Sequence, residues 1–236
     1  LGFRHEDMED VCRVLEETKA PLSSVFSHFA GADDAKFDSF SQKQADYLKA
    51  FYDTLIERTS TFQETRPMLH LLNTAGLERF NDTYSFDGGR LGIGLYGYSP
   101  SGRTEVRPVA TLKTRILQVK RIPKGEPIGY SCTISFPEDC DIAIIPIGYA
   151  DGLLRRFGNG RRSVNIGGVL CPIIGNICMD ACMVNVSGVK AKAGDEVIIF
   201  GDNQTPITDM AKVGDTIPYE ILTSISPRVV RVYVRE

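Results

Sequence analysis

The apolar pattern changes period near Pro100, and no single uniform fold accommodates both halves. Before that point, Glu6 to Lys19 carries Met8, Val11, Cys12 and Leu15 at helical spacing, with acids at its start, where the helix dipole favours them. Leu22 to Phe29 is a short β-prone run. A long helical stretch follows from Asp38 to Arg58, with Leu48, Phe51, Tyr52 and Leu55 on one face. Met68 to Asn73 reads as a second strand and Leu91 to Leu95, flanked by glycines, as a third. Strands alternating with helices of this length predict a parallel β/α arrangement. Three strands cannot close a barrel. Either sequence upstream supplies the rest or this half is a small open α/β layer, and the start at Leu1 rather than Met favours the first, so the chain is expected to be a fragment.

Beyond Pro100-Ser-Gly102 short β-branched runs recur between turn signals. They are Val109 to Val119, Cys140 to Ile147, Ser163 to Ile166, Leu170 to Ile174, Met183 to Val186, Glu196 to Phe200 and Val229 to Val234. Pro123-Lys-Gly125, Gly158-Asn-Gly160, Gly167-Gly168 and Gly201-Asp-Asn203 separate several of them. The expected fold is therefore α/β plus β: the C-terminal part of a (β/α)8 barrel over 1–100, then an all-β barrel or sandwich over 101–236. Only Thr216 to Leu222 breaks the β pattern, with a proline near the start of one or two helical turns.

Composition excludes several functions. A net charge of -3 without a long basic run argues against a nucleic-acid or anionic-membrane surface. The longest apolar run, Ile142 to Ile147, is interrupted by Pro146 and far too short to span a bilayer. Six cysteines without a C-x-x-C, and three histidines without ligand spacing, give no structural zinc site. A reducing cytoplasm is the expected location.

Gly92-Ile-Gly-Leu-Tyr-Gly97 matches G-x-G-x-x-G by letter. A dinucleotide fold needs that loop to open a helix, and Pro100 arrives too soon. A barrel strand whose backbone approaches a phosphate fits better, with glycines kept for packing as the plain alternative. His28 and Asn73-Thr74 fall at the ends of their strands, the functional rim of a β/α barrel, beside Arg90. Each alone reads equally as a structural side chain. Tyr130, Tyr149 and Tyr219 sit in loop-like contexts, either as buried phenols with satisfied hydroxyls or as acid–base groups. Met179-Asp180 fits a strand end with a turn aspartate, and Arg228, Arg231 and Arg235 a solvated or ion-paired edge.

Taken in order, these segments resemble the alanine racemase family over essentially the whole chain. The resemblance rests on Ser27-His28-Phe29-Ala30, His70-x-x-Asn73-Thr74-Ala75, Arg90-Leu-Gly92-Ile93 with Leu95-Tyr-Gly97, and Gly129-Tyr130. It continues through Ile147-Gly-Tyr149-Ala-Asp-Gly152, Gly175-Asn-Ile-Cys-Met179-Asp180, Thr216-Ile-Pro-Tyr219-Glu220 and Arg228-Val-Val-Arg231-Val.

What the resemblance implies is a pyridoxal-phosphate enzyme interconverting L- and D-alanine, the latter for peptidoglycan of the cell wall. Proton transfer would use two bases, a lysine and Tyr130, one on each face of the substrate. Tyr130 would reach the site of the other subunit in a head-to-tail homodimer, along with Met179 and Asp180, which would meet the substrate. Tyr149 would line the entrance. The cofactor phosphate would lie against Asn73, Thr74, the backbone of Gly92 and Ile93, and the Tyr219 hydroxyl. Arg90 would donate to the pyridine nitrogen, with His28 bonded to Arg90 from behind. The sequence departs from the family in lacking the cofactor lysine's motif, in lacking the arginine expected just before Leu1, and in carrying Asn176 where many relatives have arginine. A related racemase for another small amino acid such as serine, and a non-catalytic partner-binding relic, are the alternatives.

Overall fold

The computed structural model describes residues 2–62 and 65–234. The chain forms two compact units, Leu1–Arg107 and Pro108–Glu236. Among the described residues no helix is long and apolar enough to cross a membrane.

In the first unit, helix α1 (Met8–Thr18) ends on Lys19 in the left-handed region. Strand β1 (Ser24–Phe26) leads to α2 (Asp38–Arg58), whose bounds match the spacing read from sequence. Strand β2 (Met68–Leu72), helix α3 (Thr74–Tyr84) and the two-residue strand β3 (Gly88–Gly89) follow. The three strands form one sheet in the order β1-β2-β3, parallel throughout. Ser41, Ala45, Leu48, Tyr52 and Leu55 make the buried stripe of α2. The sheet's core residues Leu69, Leu71 and Leu72 pack in one cluster with Leu48, Tyr52 and Phe29.

Two expectations for this unit change. Leu91 to Leu95 is not a strand: pairing ends at Gly89, and Ile93–Tyr96 is a single 3-10 turn. The glycines supply the reason, since Gly92 and the left-handed Gly97 bracket the turn and neither suits a pleated ladder. Helix α3 is an addition. Its apolar positions are sparse, and it begins because Asn73 caps it, the side-chain oxygen accepting from the Gly76 amide at 2.9 Å.

The second unit is built on one antiparallel sheet in the order β4-β10-β7-β8-β9-β6-β5. Its strands are β4 (Leu112–Arg115), β5 (Gln118–Ile122), β6 (Cys140–Ile145), β7 (Ser163–Ile166), β8 (Val169–Ile174), β9 (Cys182–Asn185) and β10 (Glu196–Phe200). Edge strands β4 and β5 are consecutive in the chain. Three peptide steps from Arg115 to Gln118 span at most about 11 Å, so the two edges of the sheet must come round to meet. The Ile116 amide bonds Asp195 at 3.0 Å and the Leu117 amide bonds Ile144 at 2.8 Å, one to each side of the seam. The sheet is thus curled almost into a barrel, filled by Ala143, Ile145, Val164, Ile173, Val184 and Val197.

Here too the sequence reading is corrected. Val109 to Val119 is two strands, because the chain changes neighbour at Ile116-Leu117. The expected helical turns after Thr216 are α5 (Pro218–Ser224), whereas α4 (Ile207–Val213) is an addition, and Met210, Ile207 and Ile221 bury their side chains completely. Val229 to Val234 forms no strand among the described residues. Val230, Val232 and Val234 stand 82%, 79% and 80% exposed, and without a neighbouring strand their backbone groups are left to water. Arg235 lies outside the described residues. Cys12, Cys140, Cys171 and Cys182 are free and buried, and burial pushes the Cys182 thiol up to about 12. These thiols pack as small hydrophobes.

Ile145 lies fully buried on β6 between β5 and β9. Ile145→Ala is expected to cost about 2–5 kcal/mol in urea denaturation, whereas Val169→Ala on the exposed end of β8 should stay within about 0.5 kcal/mol.

Candidate active site

The first unit gathers its polar groups at the carboxyl ends of its three parallel strands. Register places Phe26 beside His70 and His70 beside Gly88, so residues just beyond these positions share one rim. Arg90 follows β3, its amide bonded to the Leu72 carbonyl at 2.7 Å. The guanidinium turns back along the rim. Nη2 donates to the Ser27 carbonyl at 2.6 Å and approaches His28 Nδ1 at 3.3 Å. Nη1 bonds His70 Nδ1. The Phe26 ring lies 5.0 Å from the guanidinium carbon and stacks on the His70 ring at 5.3 Å. One cation is therefore held by three strands at once.

Arg90 stays protonated, although burial lowers its pKa. Loss of solvent around the rings, then the charge of Arg90, lowers the pKa of both His28 and His70. Neutral imidazoles accept at one nitrogen only. His70 accepts from Arg90 at Nδ1, which leaves the proton on Nε2. His28 lies between two donors, Arg90 at 3.3 Å and the Asn73 amide at 3.2 Å, and can accept from one at a time. The charged donor makes the stronger bond.

Next to this cluster the Thr74 hydroxyl oxygen accepts from the amides of Gly92 at 2.9 Å and Gly94 at 3.2 Å. The Thr74 proton remains to be donated. Two helical starts converge here, α3 after Asn73 and the turn opening at Ile93. The Ile93 amide is the first of its turn and precedes any acceptor within it. Such a corner suits an anion. A Cβ on Gly94 would approach the Thr74 methyl to 2.9 Å, so the glycine is required for the fit. The sequence expectation is refined in two respects. The Asn73 side chain is used in capping α3 and in holding the Phe29 carbonyl at 3.2 Å, and the Gly92 amide is taken by Thr74.

In the second unit the remaining candidates stand on exposed but pinned backbone. Tyr130 is 68% exposed in a turn between Ile128 and Ile134, which pair across it. Gly129, Ser131 and Cys132 all have positive φ there, of 73°, 65° and 48°. For the two non-glycine residues that conformation costs about 1–2 kcal/mol each. Strain of this kind persists only where surrounding contacts hold it. Tyr149 opens a 3-10 turn, Tyr149–Asp151, packed directly against the Cys178-Met179 backbone. The amides of Tyr149 and Ala150 bond the carbonyls of Cys178 and Met179 at 3.1 and 3.0 Å. A Cβ on Gly148 would lie 2.3 Å from both carbonyl oxygens, so only glycine permits this approach.

Arg228 locks the same segments. Its Nε donates to Asp151 at 2.6 Å and its Nη2 to Asp180 at 2.5 Å. Asp151 is buried and its second oxygen takes the Gly148 amide at 2.8 Å. Burial opposes the Asp151 charge, but the Arg228 and Gly148 hydrogen bonds outweigh it and the pKa falls. Arg228, read from sequence as an edge residue, is thus an ion-paired clamp, while Arg231 donates to the carbonyls of Ser226, Val229 and Ile225. Tyr219 sits on the first turn of α5, half-exposed. His70, Phe26 and Arg228 were not singled out by sequence as site residues. As part of a site, His70 and Arg228 entered the sequence reading only inside motifs of the family resemblance.

Comparison with known proteins decides the family. The model of the alanine racemase N-terminal domain matches residues 1–100, and that of the C-terminal domain matches residues 109–233. The chain belongs to the alanine racemase family. The alanine racemase of Clostridium novyi is 37% identical over 247 residues, covering 100% of this chain and 62% of that protein. Among solved structures, the Clostridium difficile 630 alanine racemase in complex with cycloserine is 33% identical, with a TM-score of 0.86, covering 96% of this chain and 60% of that one. The Bartonella henselae alanine racemase with covalently bound pyridoxal phosphate is 30% identical, with a TM-score of 0.84, covering 99% and 63%. This member of the alanine racemase family spans about three-fifths of the length of these relatives.

A carboxylate with a depressed pKa contributes stability that is present above its unfolded value and lost as pH falls through the folded one. For Asp151 that loss is confined to acid below the ordinary aspartate range of about 3.9. Arg228→Gln removes that contribution, so urea denaturation should find the variant less stable than wild type at neutral pH, with the difference shrinking as pH falls below the ordinary aspartate range; a difference that stays constant into acid would contradict the assignment.

Proposed function

We propose that this chain forms a wall of the active site of an alanine racemase that uses pyridoxal phosphate. One observation carries the proposal: a permanent cation and an anion-binding corner, Arg90 and Thr74, share one rim of a parallel sheet in a chain of this family. The residues present fit such a cofactor. Thr74, the Ile93 amide and the start of α3 would hold the phosphate, with Asn73 and Gly92 shaping the corner and the Tyr219 hydroxyl adding a donor. Arg90 would face the ring nitrogen, backed by His28 and His70. When bound, the cofactor acts as an electron sink that makes the substrate's α-proton removable.

The rest is proton handling. Racemisation needs a base on each face of the α-carbon, because a single base returns the proton to the side it left. Tyr130 is assigned to one face, through its phenolic oxygen. The other base would be a lysine. No lysine of this chain lies in the family's cofactor-lysine motif, so this reading places that lysine outside these 236 residues. Met179 and Asp180 would meet the substrate and Tyr149 the entrance, positions kept rigid by Gly148 and Arg228. Exposed Tyr130 and Met179 suit presentation to the site of a second copy, in a head-to-tail homodimer. The product would serve as cell-wall D-alanine made in the cytoplasm.

The test is exchange of the substrate α-hydrogen in deuterium oxide, run on each enantiomer of alanine and of serine with the pyridoxal-phosphate-loaded complete protein that carries both this chain and the lysine. Tyr130→Phe should lower racemisation at least about 100-fold in both directions, since the enantiomers have equal free energy. Exchange should be lost from one enantiomer only and kept in the other. Absence of D-alanine formation by the wild-type protein contradicts the proposal, and faster turnover of serine than alanine reassigns the substrate.

A further inference from the structure

Tyr130 is exposed, and its side chain makes no hydrogen bond among the described residues. What fixes the phenol is therefore its backbone. Asn176 reaches that backbone: its Nδ2 donates to the Tyr130 carbonyl at 2.9 Å. Asn176 is buried, and its other end is also used, Oδ1 accepting from Asn159 Nδ2 at 3.2 Å. Asn159 in turn accepts at Oδ1 from the Thr133 hydroxyl at 3.2 Å, which returns the chain of bonds to the far side of the Tyr130 turn. Asn159 itself is left-handed, with φ 56°, and its amide bonds the Gly175 carbonyl at 2.8 Å, beside Asn176. The turn is thus gripped at Tyr130 and at Thr133 by two amides that also grip each other.

We infer that Asn176, with Asn159 behind it, is a positioning residue that sets where the Tyr130 hydroxyl stands during proton transfer. This rests on the assignment of Tyr130 as a base. Three features support it. The turn holds Ser131 and Cys132 in a backbone conformation that relaxes if its restraints are removed. Asn176 has both its side-chain ends satisfied by this network, so its amide orientation is fixed by Asn159 rather than free to flip. Finally, Asn159 reaches the far side of the turn through Thr133, so the two amides hold the turn at two points.

Asn176→Asp keeps the shape and removes the donor to the Tyr130 carbonyl; Asn176→Gln keeps a donor and an acceptor; Asn159→Gly keeps the left-handed backbone and removes the second amide. In the pyridoxal-phosphate-loaded protein, Asn176→Asp assayed above the carboxylate range should lower kcat for racemisation by about 10- to 100-fold, the penalty for a reacting group displaced by an ångström or less. Deuterium exchange should fall in the same proportion for the enantiomer that Tyr130→Phe silences, and stay within about twofold for the other, with KM little changed. Asn159→Gly should show the same selectivity at smaller amplitude, and Asn176→Gln should recover most of the loss. Equal loss of exchange from both enantiomers, following a lowered Tm, means a merely structural role and overturns the inference. So does unchanged racemisation in both Asn176→Asp and Asn159→Gly. If Tyr130→Phe itself leaves both exchange rates intact, the base assignment fails first and the inference falls with it.

Discussion

The Arg90 guanidinium is the contact on which the first unit's rim depends. Left alone, a half-buried cation would cost several kcal/mol in lost hydration. It is stabilised without a carboxylate, by the Ser27 carbonyl, the two imidazoles and the Phe26 face. Phe26, Ser27 and His28 belong to β1 and its extension, His70 to β2, and Arg90 itself follows β3, so satisfying one side chain fixes the register of the rim. Because none of these partners is anionic, the positive charge is not neutralised locally. It remains available to an electron-rich ligand atom, which is the property a donor to a ring nitrogen requires.

In the second unit an equivalent constraint is closure. Two residues join the opposite edges of a seven-stranded sheet, which forces the curl, and Tyr130, Tyr149 and Met179 stand exposed on loops between its strands. Such loops are mobile by default, and each is pinned by a distinct device. Asn176 and Asn159 hold the Tyr130 turn, Gly148 lets the Tyr149 turn lie on the Met179 backbone, and Arg228 bridges Asp151 to Asp180. Exposed side chains on restrained backbone are what a contributor to a preorganised site looks like.

Much of this was legible in the sequence, and the exceptions have physical reasons. The bounds of α2 follow from periodicity because it buries one stripe, and those of β7 and β10 from β-branched runs ended by Gly167 and Gly201. The segment at Ile93 misled because its letters alternate as a strand does, while Gly92 and Gly97 favour a turn. Helix α3 was hidden because its start depends on a cap and its apolar face is thin. Val229 to Val234 has strand composition, but a strand exists only with a partner. His28 and Thr74 were legible from their places at strand ends beside Arg90, and the family motifs supplied their expected roles. His70 and Arg228 emerged only when distance along the chain was replaced by distance in space: 20 residues separate His70 from Arg90, and 77 separate Arg228 from Asp151.

The central claim is that Arg90 acts as an unneutralised cation held by neutral histidines. The most direct measurement is an NMR titration of the His28 and His70 imidazoles in ligand-free protein, wild type against Arg90→Gln. The account predicts both pKa values below the ordinary histidine value of about 6.5 in the wild type, rising toward it when the charge is removed. Values at or above 6.5 in the wild type, or no response to Arg90→Gln, would contradict it.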